Sequence, residues 1–211
     1  MLNSLDFLNR DQSWPPKDKD TVARLERYEQ NAALFRGDHQ EVFTEWPKLV
    51  REDMKASLEI ILNWPKRLST LWADLLLGEP PRISTDDKVG QNFIDELNQD
   101  NKLIQTAYEV VLDISRFGEG LFKARKQDGR SIVEGQYPAL WFPVVSRDNI
   151  RDFKAHVLGW TFEQDEKKYL RIEIHTKGQI EHRVYRLEGS SIQEQLELSE
   201  FYTGLPEKEP T

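Results

Sequence analysis

The 211-residue sequence contains no cysteine, which excludes disulfides, thiolate metal sites and cysteine nucleophiles together. Long hydrophobic runs are missing too. No stretch of about eighteen apolar residues occurs, so no transmembrane helix is expected. The opening Met1-Leu2-Asn3-Ser4-Leu5-Asp6 has no basic segment followed by an apolar one, and no secretory signal is expected from it. Positive charge is in short supply: 29 Lys and Arg stand against 37 Asp and Glu, a net charge of -8. The acidic excess is spread over both halves, with no basic arm. Sequence-independent nucleic-acid binding places clustered cations over phosphates, and without that footprint tight DNA binding by this chain is not expected.

Aromatic residues, by contrast, are plentiful: six Trp, six Tyr and ten Phe. Chains that stay disordered are poor in them, and this length suffices to bury a core. The periodicity predicts helices first. Asp20 is a candidate cap for a helix with Val22, Leu25, Tyr28, Ala32 and Phe35 on one face, closed by Gly37. Asn63-Trp64-Pro65 opens a second helix, whose apolar face is Leu68, Leu71, Trp72, Leu75 and Leu76. Helices over about 87–99 and 101–116 follow, ended by Gly118 and Gly120. From Leu121 the period changes to that of strands. Asp128-Gly129 signals a hairpin, Pro143 marks an edge strand or a bulge, and strands over 153–163, 168–176 and 179–187 follow in series. A three-residue loop around Lys177-Gly178 would set Ile174 opposite Ile180 and Leu170 opposite Val184, keeping apolar residues on one face. Helices followed by an antiparallel meander read as α+β. The expected divisions are a lead over 1–19, a mainly helical part over 20–118, an antiparallel β part of the same domain over 119–200, and an unfinished tail over 201–211.

The search for chemistry returns little. His156, His175 and His182 lie on neighbouring strands and could in principle hold zinc, but the expected register puts His175 and His182 on opposite faces. Asp152, Glu166 and Lys168, with Asp148 and Lys167 beside them, resemble the acidic and lysine set of a Mg²⁺-dependent nuclease; the Glu166 triplet, however, falls where a solvated turn is expected. Asp86-Asp87 could be a metal pair, but it better suits a helix N-terminus, where acidic groups favour the dipole. Gly118-Glu119-Gly120 runs from helix into strand, the wrong order for a dinucleotide loop, and Ser190-Ser191 reads as a turn. No catalytic, cofactor or metal residue is assigned. Trp64, Trp72, Trp141 and Trp160 are expected in the core. Trp14 and Trp46 lie beside prolines, either as contacts between chains or tucked against their own domain.

Several blocks in consistent order resemble the portal proteins of tailed bacteriophages of the SPP1-like type. The first is Tyr28-Glu29-Gln30-Asn31-Ala32-Ala33-Leu34-Phe35-Arg36-Gly37-Asp38-His39. The second is Asn63 to Pro81, ending Leu77-Gly78-Glu79-Pro80-Pro81. Gly118 to Ala124 and the aromatic segment with Phe142-Pro143 come next, followed by the meander from Phe153 to Leu187. The family-motif positions are thus Tyr28, Asn31, Leu34, Phe35, Gly37, His39, Gly78, Pro80, Gly118, Phe142 and Pro143.

The resemblance implies a non-enzymatic structural protein of a ring, commonly dodecameric, at one vertex of the capsid. It implies other copies of the chain, terminase, head-completion and capsid proteins as partners, with DNA passing through without tight binding and no membrane. It implies a place in the virion, with assembly in the host cytoplasm. The matched part corresponds to the peripheral wing; stem, clip, tunnel loop and crown lie downstream in the family, so the chain is expected to be the wing-side N-terminal part or a prophage product. Two alternatives from other classes are the nuclease above and a protein-binding module using Trp14 and Trp46.

Overall fold

A computed structural model describes residues 2–38, 42, 63–127 and 129–210. His39, Trp46 and Asp128, all singled out above, lie outside the described residues. The architecture is α+β: among the described residues, four helices of several turns precede an antiparallel meander. The helices are α1 (Lys19–Arg36), α2 (Trp64–Leu77), α3 (Lys88–Asn101) and α4 (Leu103–Phe117). The strands are β1 (Leu121–Gln127), β2 (Arg130–Gln136), β3 (Trp141–Val145), β4 (Phe153–Gln164), β5 (Lys167–Thr176), β6 (Gln179–Glu188), β7 (Ser191–Leu196) and β8 (Lys208–Pro210). Contacts divide the chain into two compact units, one of Met1–Leu25 with Ala139–Thr211 and one of Glu26–Pro138.

The first unit is built on a six-stranded sheet in the order β3-β4-β5-β6-β7, with β8 paired to β6. Tight turns set its register. Asp165 and Glu166 both take left-handed φ, 50° and 60°, and join β4 to β5 with Gln164 opposite Lys167, as a two-residue hairpin of type I′ requires. Lys177-Gly178 is also a two-residue turn, so Thr176 faces Gln179, Ile174 faces Glu181 and Leu170 faces Tyr185. The expected three-residue loop is therefore wrong by one position. The reason lies in β5, which is buried without interruption from Tyr169 to Ile174. Both faces of that strand are covered, so keeping apolar residues on one face was not the constraint that fixed the register.

One face of the sheet carries Leu170, Ile172 and Ile174 with Val157 and Ala155, and Phe7, Leu8 and Trp14 close over it. The N-terminal stretch is thus part of the core. Trp14 is only 7% exposed and lies 4.6 Å from Phe142 and 6.4 Å from Phe7, ring to ring. It takes the second of its two expected places, tucked into its own unit. Gly159 makes room for it, since a Cβ there would stand 2.3 Å from the Trp14 ring and 2.7 Å from Ile172. Edge strand β3 holds Pro143, as expected, and Leu2 bridges to Val144 beside it. The opposite face packs Tyr169 and Val184 against Leu198, Phe201, Tyr202 and Leu205. The stretch read as an unfinished tail therefore covers the sheet and supplies β8.

In the second unit, local signals account for the helix ends. The Asn63 side chain accepts from Lys66 N at 3.0 Å, and Asp87 accepts from Gly90 N at 2.7 Å, each satisfying an otherwise orphaned amide. α1 begins in the first unit, capped by Asp18, which accepts from Thr21 N at 3.2 Å, two positions before the expected Asp20. Gly118 ends α4 at φ 78°. Asn101, at the end of α3, fastens the β1–β2 hairpin: its amide donates to Ser131 O at 3.0 Å and its carbonyl accepts from Val133 N at 2.7 Å.

Trp14→Ala removes the largest side chain laid over the sheet and should cost about 3–5 kcal/mol. Gly159→Ala, by overpacking the same contact, should cost about 1–3 kcal/mol. Urea unfolding of each variant measures these losses; a change within a few tenths of a kcal/mol would show that the N-terminal stretch does not seal the sheet.

Candidate functional site

Tyr28, Asn31, Phe35 and Gly118, four of the family-motif residues, gather where α1 meets the end of α4 in the second unit. Tyr28 is buried, donates its hydroxyl to Glu119 Oε2 at 2.5 Å and packs on Phe117 with ring centroids 5.1 Å apart. One helical turn on, Asn31 donates to Arg116 O at 2.8 Å, satisfying a carbonyl in the last turn of α4. Phe35 receives the Arg116 guanidinium over its ring at 4.5 Å. Its carbonyl accepts from Asn63 Nδ2 at 2.9 Å, tying the end of α1 to the start of α2. Gly37, at φ 93°, lets the chain turn beside Asn63; a Cβ there would lie 3.2 Å from Asn63 Nδ2. Leu34 is half-buried and Gly78 follows the last turn of α2, with Pro80 in the exposed chain beyond it. Phe142 and Pro143 lie in β3 of the first unit, where Phe142 is part of the core. Tyr28, Asn31, Phe35 and Gly37 thus act here in packing and chain direction.

Arg116 and Glu119 are the partners that sequence reasoning missed, because their role is set by contacts distant in sequence. Arg116 also pairs with Asp113 one turn earlier. Beside them is a shallow cleft of about 260 Å³ lined by Glu109, Asp113, Arg116, Gly135, Gln136 and Tyr137. Burial pushes the Asp113 carboxyl up, against the lowering pull of Arg116, and pushes the Tyr137 hydroxyl up. The Asp113 carboxylate is already paired to Arg116, so it is engaged as an ion-pair partner and not held free as a base.

The outer face of α2 is where the structure departs most from expectation. Its inward stripe is Ser69 and Ala73, both buried, and Ser115 on α4 donates to Ser69 Oγ at 3.0 Å. Such small side chains let two helices approach closely, but they turn the larger ones away. Trp64, Leu68, Leu71, Trp72, Leu75 and Leu76 are all more than half exposed. Trp64 and Trp72, expected in the core, are surface residues of the described chain, and Trp141 and Trp160 are half-buried.

The first unit holds a buried charged chain across β5, β6 and β8. Arg171, 2% exposed, donates to Ile172 O at 3.2 Å and to His182 Nδ1 at 2.7 Å. Its guanidinium also lies 4.9 Å from the Tyr202 ring centre. Since arginine only donates, Nδ1 must accept, which leaves the proton on Nε2 to be donated to Glu209 Oε1 at 3.1 Å. Glu173 stands 3.9 Å from both Arg171 and His182. His182 N donates to Glu207 O at 2.7 Å, so the same residue holds β8 by backbone and side chain. Burial first, then the charge of Arg171, lowers the His182 pKa; burial likewise lowers that of Arg171. The register corrects the histidine reading. His175 pairs with His156 and Glu173 with His182, so all three histidines share one face. They still form no metal site: among the described residues no group of three or more His, Asp or Glu is placed to hold an ion.

The nuclease set is not brought together. Asp152 precedes β4 and is engaged by Lys154 at 2.6 Å, while Glu166 turns the chain at the far end of that strand. Twelve residues of β4 lie between them, roughly 40 Å of strand. Among the described residues no helix is long and apolar enough to cross a membrane.

Residues 16–208 match the family model described as phage portal protein, SPP1 Gp6-like, and the chain belongs to that family. It is a structural component of the phage portal, a part of the capsid vertex that serves DNA packaging. No curated protein matches the sequence significantly.

The histidine geometry sets a pH dependence. The folded pKa of His182 lies below its unfolded value, so its contribution to stability is present above about pH 6.5 and is lost as pH falls through the lower folded value. Thermal unfolding at pH 7.5 and pH 5 should show a drop in the wild type and a smaller drop in His182→Gln; equal drops would remove His182 as the cause.

Proposed function

We propose that the chain works as one of several identical copies closed into a ring at the capsid vertex, through which DNA is packaged and later ejected. The family match over residues 16–208 carries this reading. A closed ring is built from one head-to-tail interface repeated by rotation, so each copy must carry two complementary surfaces. The charge supports passage of DNA: at -8, a body without clustered cations does not hold phosphates, whereas a strongly basic wall would retard a sliding duplex. The described residues form the wing-like part of such a subunit. Terminase, head-completion proteins and the capsid shell are its partners, and assembly takes place in the host cytoplasm. Catalysis has no place in this role.

Duplex DNA titrated with micromolar protein at about 0.15 M salt should show no saturable binding by fluorescence anisotropy, and should stay intact on incubation with Mg²⁺. Cleavage that disappears in Glu166→Ala would overturn the structural reading. Tight binding would overturn the account of DNA passage.

A further inference from the structure

We infer that the outer face of α2 is the surface on which neighbouring copies of this chain meet, an inference that rests on the ring reading above. The helix is amphipathic in the reverse sense for a lone subunit. A surface helix ordinarily turns its large apolar side chains to the core, yet here Ser69 and Ala73 are buried while Trp72 and Leu75 are 58% and 71% exposed. Trp64, Leu68, Leu71 and Leu76 extend the patch along the same helix. Together these side chains leave roughly 700 Å² of apolar surface in water, larger than the patches ordinary monomers carry and close to the 800 Å² per partner of a stable interface.

The composition and charge of the patch favour a second copy as its occupant. Two tryptophans among leucines make the apolar centre typical of a protein interface. The rim carries both signs, with Lys66 and Arg67 at the start of the helix and Asp74 and Glu79 towards its end. Arg67 lies over the Trp64 ring at 5.8 Å, and Asp74 accepts from the Tyr108 hydroxyl at 2.9 Å. A second copy brings both complementary signs with it. A nucleic acid would need the cations without the acids. An anionic membrane surface would be repelled by the acids and by the net charge of -8, and amphipathic helices that lie on membranes are rich in Lys and Arg along the polar face.

Sedimentation velocity over a concentration series, paired with hydrogen exchange of residues 64–77, tests the inference on the whole chain. The wild type should self-associate as concentration rises, with α2 becoming protected in step. Leu68→Glu with Leu75→Glu should weaken association at least about tenfold, and circular dichroism should show an unchanged fold because both side chains face solvent. Val89→Glu on α3, another exposed apolar position, should leave association intact. Association that survives in the α2 double variant would overturn the inference and leave the ring reading standing. A wild type that stays monomeric with α2 exposed at every concentration would overturn both. Protection of α2 in a monomer would show that the chain covers the face itself, and binding to anionic vesicles without self-association would assign it to lipid; either overturns the inference.

Discussion

The continuous burial of β5 from Tyr169 to Ile174 determines the form of the first unit. A strand buried on both faces needs two covers, and the chain supplies them from its two ends. Residues 2–14 bring Phe7, Leu8 and Trp14 to one face; residues 198–205 bring Leu198, Phe201, Tyr202 and Leu205 to the other, and β8 then joins the sheet beside β6. Because alternate side chains of β5 point each way, this second cover also encloses Arg171 and Glu173, charges that would be costly alone. His182 and Glu209 complete their hydrogen bonding, so the clamp on β8 follows from the double burial.

The second unit solves a different problem. Its helices are joined by specific ties, Tyr28 to Glu119, Asn31 to the end of α4 and Asn63 to the end of α1, and they bury few large side chains. The Ser69 and Ala73 stripe brings α2 close to α4 with its larger residues facing outward. A subunit designed to stand alone would gain by reversing that pattern, since burying one leucine or tryptophan is worth roughly 1.5–3 kcal/mol. In the proposed ring, covering the face would recover the same free energy between copies.

Local chemistry was legible in the sequence. The Asn63 cap, the Asp87 cap, the glycine stops at 37 and 118, and the β1–β2 turn at Gly129 follow from rules a few residues long. The edge position of Pro143 followed as well. The order of family blocks identified the portal family, although none of them encodes a reaction. What failed depended on surroundings. The β5–β6 register slipped by one because amphipathic alternation was assumed for a strand covered on both sides, and that slip put His175 and His182 on opposite faces. Trp64 and Trp72 were expected in the core because they lie within a periodic helix, but helical periodicity says which residues share a face and not which face meets the neighbouring helix. Arg116, Glu119 and Asn101 had no signal at all, because their partners lie far away in sequence.

The account comes down to whether the reversed face of α2 is covered when copies assemble. An electron cryomicroscopy map of the portal from assembled particles measures this directly. The account predicts a closed ring in which Trp72 and Leu75 of each copy are buried against the next. A ring in which both side chains face solvent would contradict it.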